Sequence, residues 1–192
     1  MRIGIFGGSF NPPHLMHFQI GKSLIEKGYI DKVIYVPTGS KYKYKNNLVS
    51  DEHRYKMLEI MIGNDERFMV SDYEFKDYVV YTCDTLNYFK MKYPNDEIYF
   101  VCGADNLSYI DEWKEGVYLL YNYKLLVIKR DTNDINLLLN KYNKYSDNIL
   151  VADVEMSSLS STKIRKMLSN GEDVFDFVSS NVVRYIKENK LY

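Results

Sequence analysis

"GGSFNPPHLMH", Gly7 to His17, follows an apolar run that opens at Ile3. The run Ile3–Phe6 reads as a buried strand, and Gly7-Gly8 lets the backbone turn tightly and approach a ligand closely. Pro12 and Pro13 stiffen the loop and keep a helix from starting early. The pattern predicts a helix from His14 or Leu15. A helix start carries free N–H groups and the positive end of the dipole, so an anion is favoured there. His14 and His17, three apart, share one face of that first turn, where imidazoles suit phosphate oxygens. The stretch is neither G-x-G-x-x-G nor a P-loop. A metal site is disfavoured, because no carboxylate or cysteine accompanies the two histidines.

Working outward, short apolar runs alternate with helical periodicity. Val33–Val36, Ile98–Cys102 and Leu125–Ile128 repeat the unbroken apolar character of strands covered on both faces. Between them, Ile20, Leu24 and Ile25, then Tyr55, Leu58 and Met61, then Leu86 and Phe89 fall at helical spacing. Strand–helix alternation predicts an α/β fold, a Rossmann-like doubly wound parallel sheet with a small helical C-terminal part. Ligands of such sheets bind at the carboxyl ends of strands near the switch point, where Gly7–His17 is expected. Thr38–Leu48 is a polar loop of a length at which loops tend to be functional or disordered. "DINLLLNKYNKYSDN" reads as a helix followed by a polar turn, and the chain from Ser160 on as mostly helical. Asp51 is expected to cap a helix whose His53 and Arg54 face solvent.

The 192 residues suit one domain with a full core, or one domain with a small annex. A net charge of −1 offers no whole-chain grip on nucleic acid or a membrane. No apolar run approaches a membrane span, and "MRIGIF" is too short for a signal peptide, so a cytoplasmic protein is expected. Cys83 and Cys102, the two cysteines, lack metal-ligand spacing and read as small buried residues. Oligomeric state is not legible, and a homo-oligomer stays open.

A second element lies far along the chain. "SSLSSTKIRKML", Ser157 to Leu168, sets small hydroxyls before a helix, with Ser160 or Ser161 as its cap and Ile164, Met167 and Leu168 facing inward. Thr162 and the first N–H groups again face an anion, and Arg165 stands on the first turn.

"GGSFNPPHLMH" and "SSTKIR" together resemble the nucleotidylyltransferase superfamily with the (His/Thr)-x-Gly-His signature. Within it the chain is similar to the bacterial nicotinate (nicotinamide) mononucleotide adenylyltransferases, nearly end to end. "YTCDTL" (Tyr81–Leu86), "FVCGADNLSYIDEW" (Phe100–Trp113), "IKR" (Ile128–Arg130) and the closing "VVRYIKENKLY" carry the likeness in order. The resemblance implies a single domain over 1–192. Its 1–155 part would be the sheet, and 156–192 the phosphate-binding turn and C-terminal helices.

The resemblance also implies adenylyl transfer from ATP to nicotinate mononucleotide, giving deamido-NAD and pyrophosphate by direct in-line attack. It places His14, His17 and Arg165 in catalysis. Gly8, Ser9, Phe10, Gly103, Asp105, Arg130, Ser161 and Thr162 join them around ATP, with Ser161, Thr162 and Arg165 on the β- and γ-phosphates. Trp113 would stack on the acceptor's pyridine ring, Thr82 would bond its carboxylate, and Lys43, or its neighbour Lys45, would reach its phosphate. Mg²⁺ would arrive with ATP, held by phosphate and water. Two departures stand out: Met16 occupies the signature glycine's place, and Ser179-Ser180-Asn181 replaces a proline before the last helix. The alternatives are a nicotinamide mononucleotide acceptor, a phosphopantetheine-type acceptor, and a non-catalytic nucleotide sensor.

Overall fold

The four apolar runs are continuous in sequence because the strands they form are covered on both faces. In the computed structural model, which describes residues 1–42, 47–129, 135–154 and 159–192, six parallel strands form one sheet. They are β1 (Arg2–Gly8), β2 (Lys32–Pro37), β3 (Phe68–Val70), β4 (Glu97–Gly103), β5 (Lys124–Ile128) and β6 (Ile149–Ala152). Their order is β3-β2-β1-β4-β5-β6. Alternation sends Ile34, Val36, Leu125 and Val127 into one core, and Val33, Tyr35, Leu126 and Ile128 into the other. β3 and β6 were not among the expected strands.

Helices α1 (Leu15–Glu26), α2 (Asp51–Ile62), α3 (Thr82–Lys92), α4 (Ala104–Leu107), α5 (Gly116–Asn122) and α6 (Ile135–Lys141) connect or flank the strands. Ile20 and Leu24 of α1 and Leu58 of α2 line one core, and Leu86 and Phe89 of α3 the other. Chain order and sheet order therefore reverse between β1 and β4, which is the switch point of a doubly wound sheet.

α7 (Ser161–Ser169) and α8 (Ser180–Glu188) pack through Ile164, Val182, Val183 and Ile186 on Met57 of α2. The C-terminal helices are thus fixed to the helix next in sequence after the polar loop at 38–48. Two expectations for α2 are corrected. Ser50, not Asp51, is the cap, its Oγ accepting from the His53 N–H at 3.3 Å. Arg54 does not face solvent: it is fully buried, and His53 is half-buried with Nδ1 2.9 Å from the Tyr185 hydroxyl.

Candidate active site

β1 ends at Gly8 and β4 at Gly103, neighbouring strands on either side of the switch point. Close packing shapes the chain just beyond each strand end. A Cβ on Gly8 would stand 3.1 Å from the Phe10 ring, so glycine lets that ring fold under the loop. Phe10 is buried with φ at 46°, a left-handed conformation held by its packing. A Cβ on Gly103 would lie 2.2 Å from a carboxylate oxygen of Asp105, so glycine admits that side chain beside the strand end.

The histidine pair is built by the start of α1. His14 is the N-cap residue, in extended conformation, and His17 stands three residues on. Their rings stack with centroids 3.6 Å apart. The His14 N–H donates to His17 Nδ1 at 3.1 Å. In the neutral ring the proton therefore sits on Nε2, which makes that nitrogen the ring's donor. The ring is seated by edge contacts with Phe10 and Phe6, at 4.9 and 6.1 Å, and the Tyr35 hydroxyl donates to the His17 carbonyl at 2.9 Å. Met16 packs against the cluster that holds Phe10, Ile20 and Leu24, so its side chain does not separate the imidazoles.

α7 brings a second helix start to the same loop. Ser160 caps it, its Oγ accepting from the Lys163 N–H at 3.3 Å. Ser161 Oγ donates to the Pro12 carbonyl at 2.8 Å. Arg165 lies one turn further in and spans both parts, donating to the Asn11 carbonyl at 2.8 Å and to Thr162 Oγ1 at 3.2 Å. Thr162 itself is exposed. His14, His17, Ser161, Thr162 and Arg165 are thus brought together, although up to 151 positions separate them in sequence.

Trp113 and Thr82 form a second group. Trp113 comes directly after the helical turn Ile110–Glu112 and meets Phe100 and Tyr109 edge-on at 6.2 and 5.9 Å. Its neighbour Lys114 places its ammonium 4.3 Å from the centre of the Tyr81 ring. Tyr81 caps α3 and Thr82 is that helix's first residue, so the tryptophan segment and the start of α3 are adjacent. Tyr42 meets Tyr81 edge-on at 6.4 Å, which brings the end of the described segment 38–42 to the same place. Lys43, Lys45 and Arg130 lie outside the described residues.

Three polar residues to which the sequence assigned no part in the site hold these parts together. Asn11 is 1% exposed, donating through Nδ2 to the Asn47 carbonyl and accepting through Oδ1 from the Val49 N–H. Buried Arg54 donates to the Ser9 carbonyl at 3.0 Å, to the Val49 carbonyl at 3.1 Å, and to Asp51. Burial lowers the pKa of its guanidinium, and Asp51 offsets part of that shift. Glu74 accepts from Thr85 Oγ1 at 2.7 Å, and burial pushes its carboxyl up to about 7. Cys102, buried beneath the end of β4, is pushed up to about 12 by burial and then by the Asp105 charge. Among the described residues, no group of three His, Cys, Asp or Glu is placed to hold a metal ion. No helix among them is long and apolar enough to cross a membrane.

Fold and site together define a doubly wound α/β protein in which the starts of α1 and α7 meet at one loop beyond the end of β1. A family model described as cytidylyltransferase-like matches residues 5–167. A probable nicotinate-nucleotide adenylyltransferase of Acholeplasma laidlawii is 36% identical, over 98% of this chain and 96% of its own length. One from Carboxydothermus hydrogenoformans is 33% identical, over 100% of this chain and 98% of its own. Among solved structures, the Plasmodium falciparum nicotinic acid mononucleotide adenylyltransferase complexed with NaAD is 25% identical. It matches with a TM-score of 0.84, over 100% of this chain and 97% of that one. The chain belongs to the cytidylyltransferase-like family and, within it, to the nicotinate-nucleotide adenylyltransferases.

Proposed function

We propose that the protein transfers the adenylyl group of ATP to nicotinate mononucleotide, forming deamido-NAD and pyrophosphate in NAD biosynthesis. The observation that carries this reading is the joining of two anion-facing helix starts, α1 and α7, across one loop by Arg165 and Ser161. One helix start suits one phosphate. Two, facing the same loop, suit a reacting phosphate and its leaving group.

In the reaction an oxygen of the mononucleotide's phosphate attacks the α-phosphorus of ATP in line. The bond from that phosphorus to the bridging oxygen breaks, and pyrophosphate leaves with the electron pair. The nucleophile is ionised at neutral pH, so no general base is required, and catalysis is positioning with charge stabilisation. His17 donates from Nε2 toward the α-phosphate as charge builds, while His14 stacks against it and holds its tautomer through the backbone.

Thr162 and Arg165 receive the β- and γ-phosphates, with Ser161 on the same helix start. Gly8, Ser9 and Phe10 shape the loop at the end of β1. Gly103 and Asp105 meet the adenosine, and Arg130 the triphosphate. The acceptor's ring stacks on Trp113, its carboxylate meets Thr82, and Lys43 or Lys45 takes its phosphate. The chain's polar groups at the phosphate site are imidazole, hydroxyl, guanidinium and carbonyl, which fit a Mg²⁺ held by the triphosphate and water rather than by a carboxylate cluster. That ion, when bound, neutralises phosphate charge. We place the protein in the cytoplasm, where its two substrates are held. A homo-oligomer is compatible with the exposed Val117 and Tyr121 of α5.

The test is pyrophosphate release with nicotinate mononucleotide and, in parallel, nicotinamide mononucleotide. A higher kcat/KM is expected for the acid. His17→Ala is expected to lower kcat by about 10²–10³-fold with the fold intact, as for loss of one preorganised donor. Unchanged turnover in that variant would remove His17 from the reaction. ATP binding without turnover of either acceptor would favour the sensor reading, with Met16 the residue to replace first.

A further inference from the structure

The loop at residues 9–15 carries His14 and leads into His17, yet its shape is set by residues outside it. Asn11 is the hub of that arrangement. Its side chain joins Asn47 and Val49, and its carbonyl receives Arg165. The amide oxygen accepts a second bond, from the Tyr192 hydroxyl at 2.8 Å. Tyr192 reaches this loop from 181 positions away in sequence, at the far end of the chain.

We propose that Tyr192 is a positioning residue for ATP, its hydroxyl locking Asn11 so that the Asn11 carbonyl aims Arg165 at the triphosphate. The inference rests on the adenylyl-transfer reading. The geometry forms a short chain, from the Tyr192 hydroxyl to the Asn11 side chain, through one residue to its carbonyl, and on to the guanidinium. Asn11 is 1% exposed, so no water replaces a lost donor without moving the loop. An amide whose oxygen holds the Val49 N–H alone has less to keep it from rotating, and rotation would also release the Asn47 carbonyl.

The phenol is suited to act as a permanent donor. Burial raises its pKa far above neutrality, and the charges of Arg165 and Arg54, which stand nearby, only partly oppose that. The Tyr192 ring packs on the cluster of Ile164, Val178 and Ile186, which fixes the direction of the hydroxyl. Leu191 N–H donates to the Ile186 carbonyl at 3.0 Å, so the backbone that delivers Tyr192 is anchored to α8. Ring and hydroxyl therefore have separable roles: the ring contributes packing and the hydroxyl sets the loop.

Tyr192→Phe removes the hydroxyl alone. The experiment compares it with the wild-type chain in steady-state pyrophosphate release, direct calorimetric ATP binding, and thermal unfolding without ligand. The expected result is a KM and Kd for ATP raised by about five- to tenfold, roughly one buried hydrogen bond, with acceptor KM within about twofold. Ligand-free Tm is expected to fall by a few degrees, for the one buried hydrogen bond lost, and to fall further in Tyr192→Leu, which also loses the ring's packing. Equal shifts in both substrates, a Tyr192→Phe Tm as low as that of Tyr192→Leu, or unchanged ATP binding would overturn the assignment. Wild-type protein that binds ATP but does not turn over would instead count against the adenylyl-transfer reading, and the calorimetric arm would still decide the role of Tyr192.

Discussion

Trp113 is held by edges rather than faces: Phe100 and Tyr109 meet it at interplanar angles of 66° and 60°, and it stays half-buried. A half-buried indole beside the start of α3 has the chemistry to stack on a flat ring. Trp113→Ala is expected to raise the acceptor's KM roughly five- to thirtyfold, for about 1–2 kcal/mol of lost stacking, and to leave ATP's KM within about twofold. Initial-rate measurements varying each substrate in turn check this; an effect confined to ATP would mean the ring site lies elsewhere. At this scale the histidines, Arg165 and Trp113 stand out in the sequence as candidates, because histidine, tryptophan and a capped helix start carry recognisable chemistry. Arg54 was not. An arginine in the first turn of a polar helix reads as solvent-facing, and only the closing of Ser9 and Val49 over it reveals a buried cation. Asn11 and Glu74 gave no local signal either, since their partners lie in other segments.

α5 shows how one element fixes another. Its first residue, Gly116, passes so close to the preceding turn that an added Cβ would lie 1.7 Å from the Ile110 carbonyl oxygen. The Gly116 N–H also donates to the Trp113 carbonyl at 2.9 Å. Gly116→Ala must therefore push the Ile110–Glu112 turn and carry Trp113 with it. The expected cost is about 1–3 kcal/mol of stability, as for overpacking, with a raised acceptor KM. Thermal unfolding and initial rates on the one variant check both; a lower Tm with unaltered acceptor KM would uncouple the turn from the ring site. Elements differ in how readable they are for a related reason. β1, β2, β4 and β5 are buried on both faces and announce themselves as apolar runs. β3 has three residues, too few to show a period, and β6 lies at the edge of the sheet with its middle residues only half-buried.

For the molecule as a whole, Glu74 sets a pH dependence of stability. Its carboxyl titrates near 7 in the folded protein and in the ordinary glutamate range when unfolded, so the folded state binds the proton more tightly. Stability is then highest below about pH 4.5 as far as this group is concerned, falls as the pH rises toward 7, and levels off above it. Asp65, lowered to about 2 by Arg67, has the opposite sign and acts only in acid, so the two windows do not overlap. Glu74→Gln keeps an oxygen for Thr85 and removes the titration. It is expected to be more stable than the wild-type chain at pH 8 by on the order of 1–3 kcal/mol, with the gap closing toward pH 5. Urea unfolding at both pH values checks it; parallel curves for the two proteins would show that Glu74 does not titrate in this range.

The bonds that shape the histidine loop from Ser161, Arg165 and Tyr192 bridge 149, 154 and 181 positions. Closing so long a stretch of chain is entropically costly until other contacts have brought its ends together. The two helix starts therefore meet at low entropic cost only where the sheet and its covering helices already hold the ends of the chain close. The expected outcome in refolding is that ATP binding returns no earlier than the far-ultraviolet signal of the sheet, and stopped-flow measurement of both checks it.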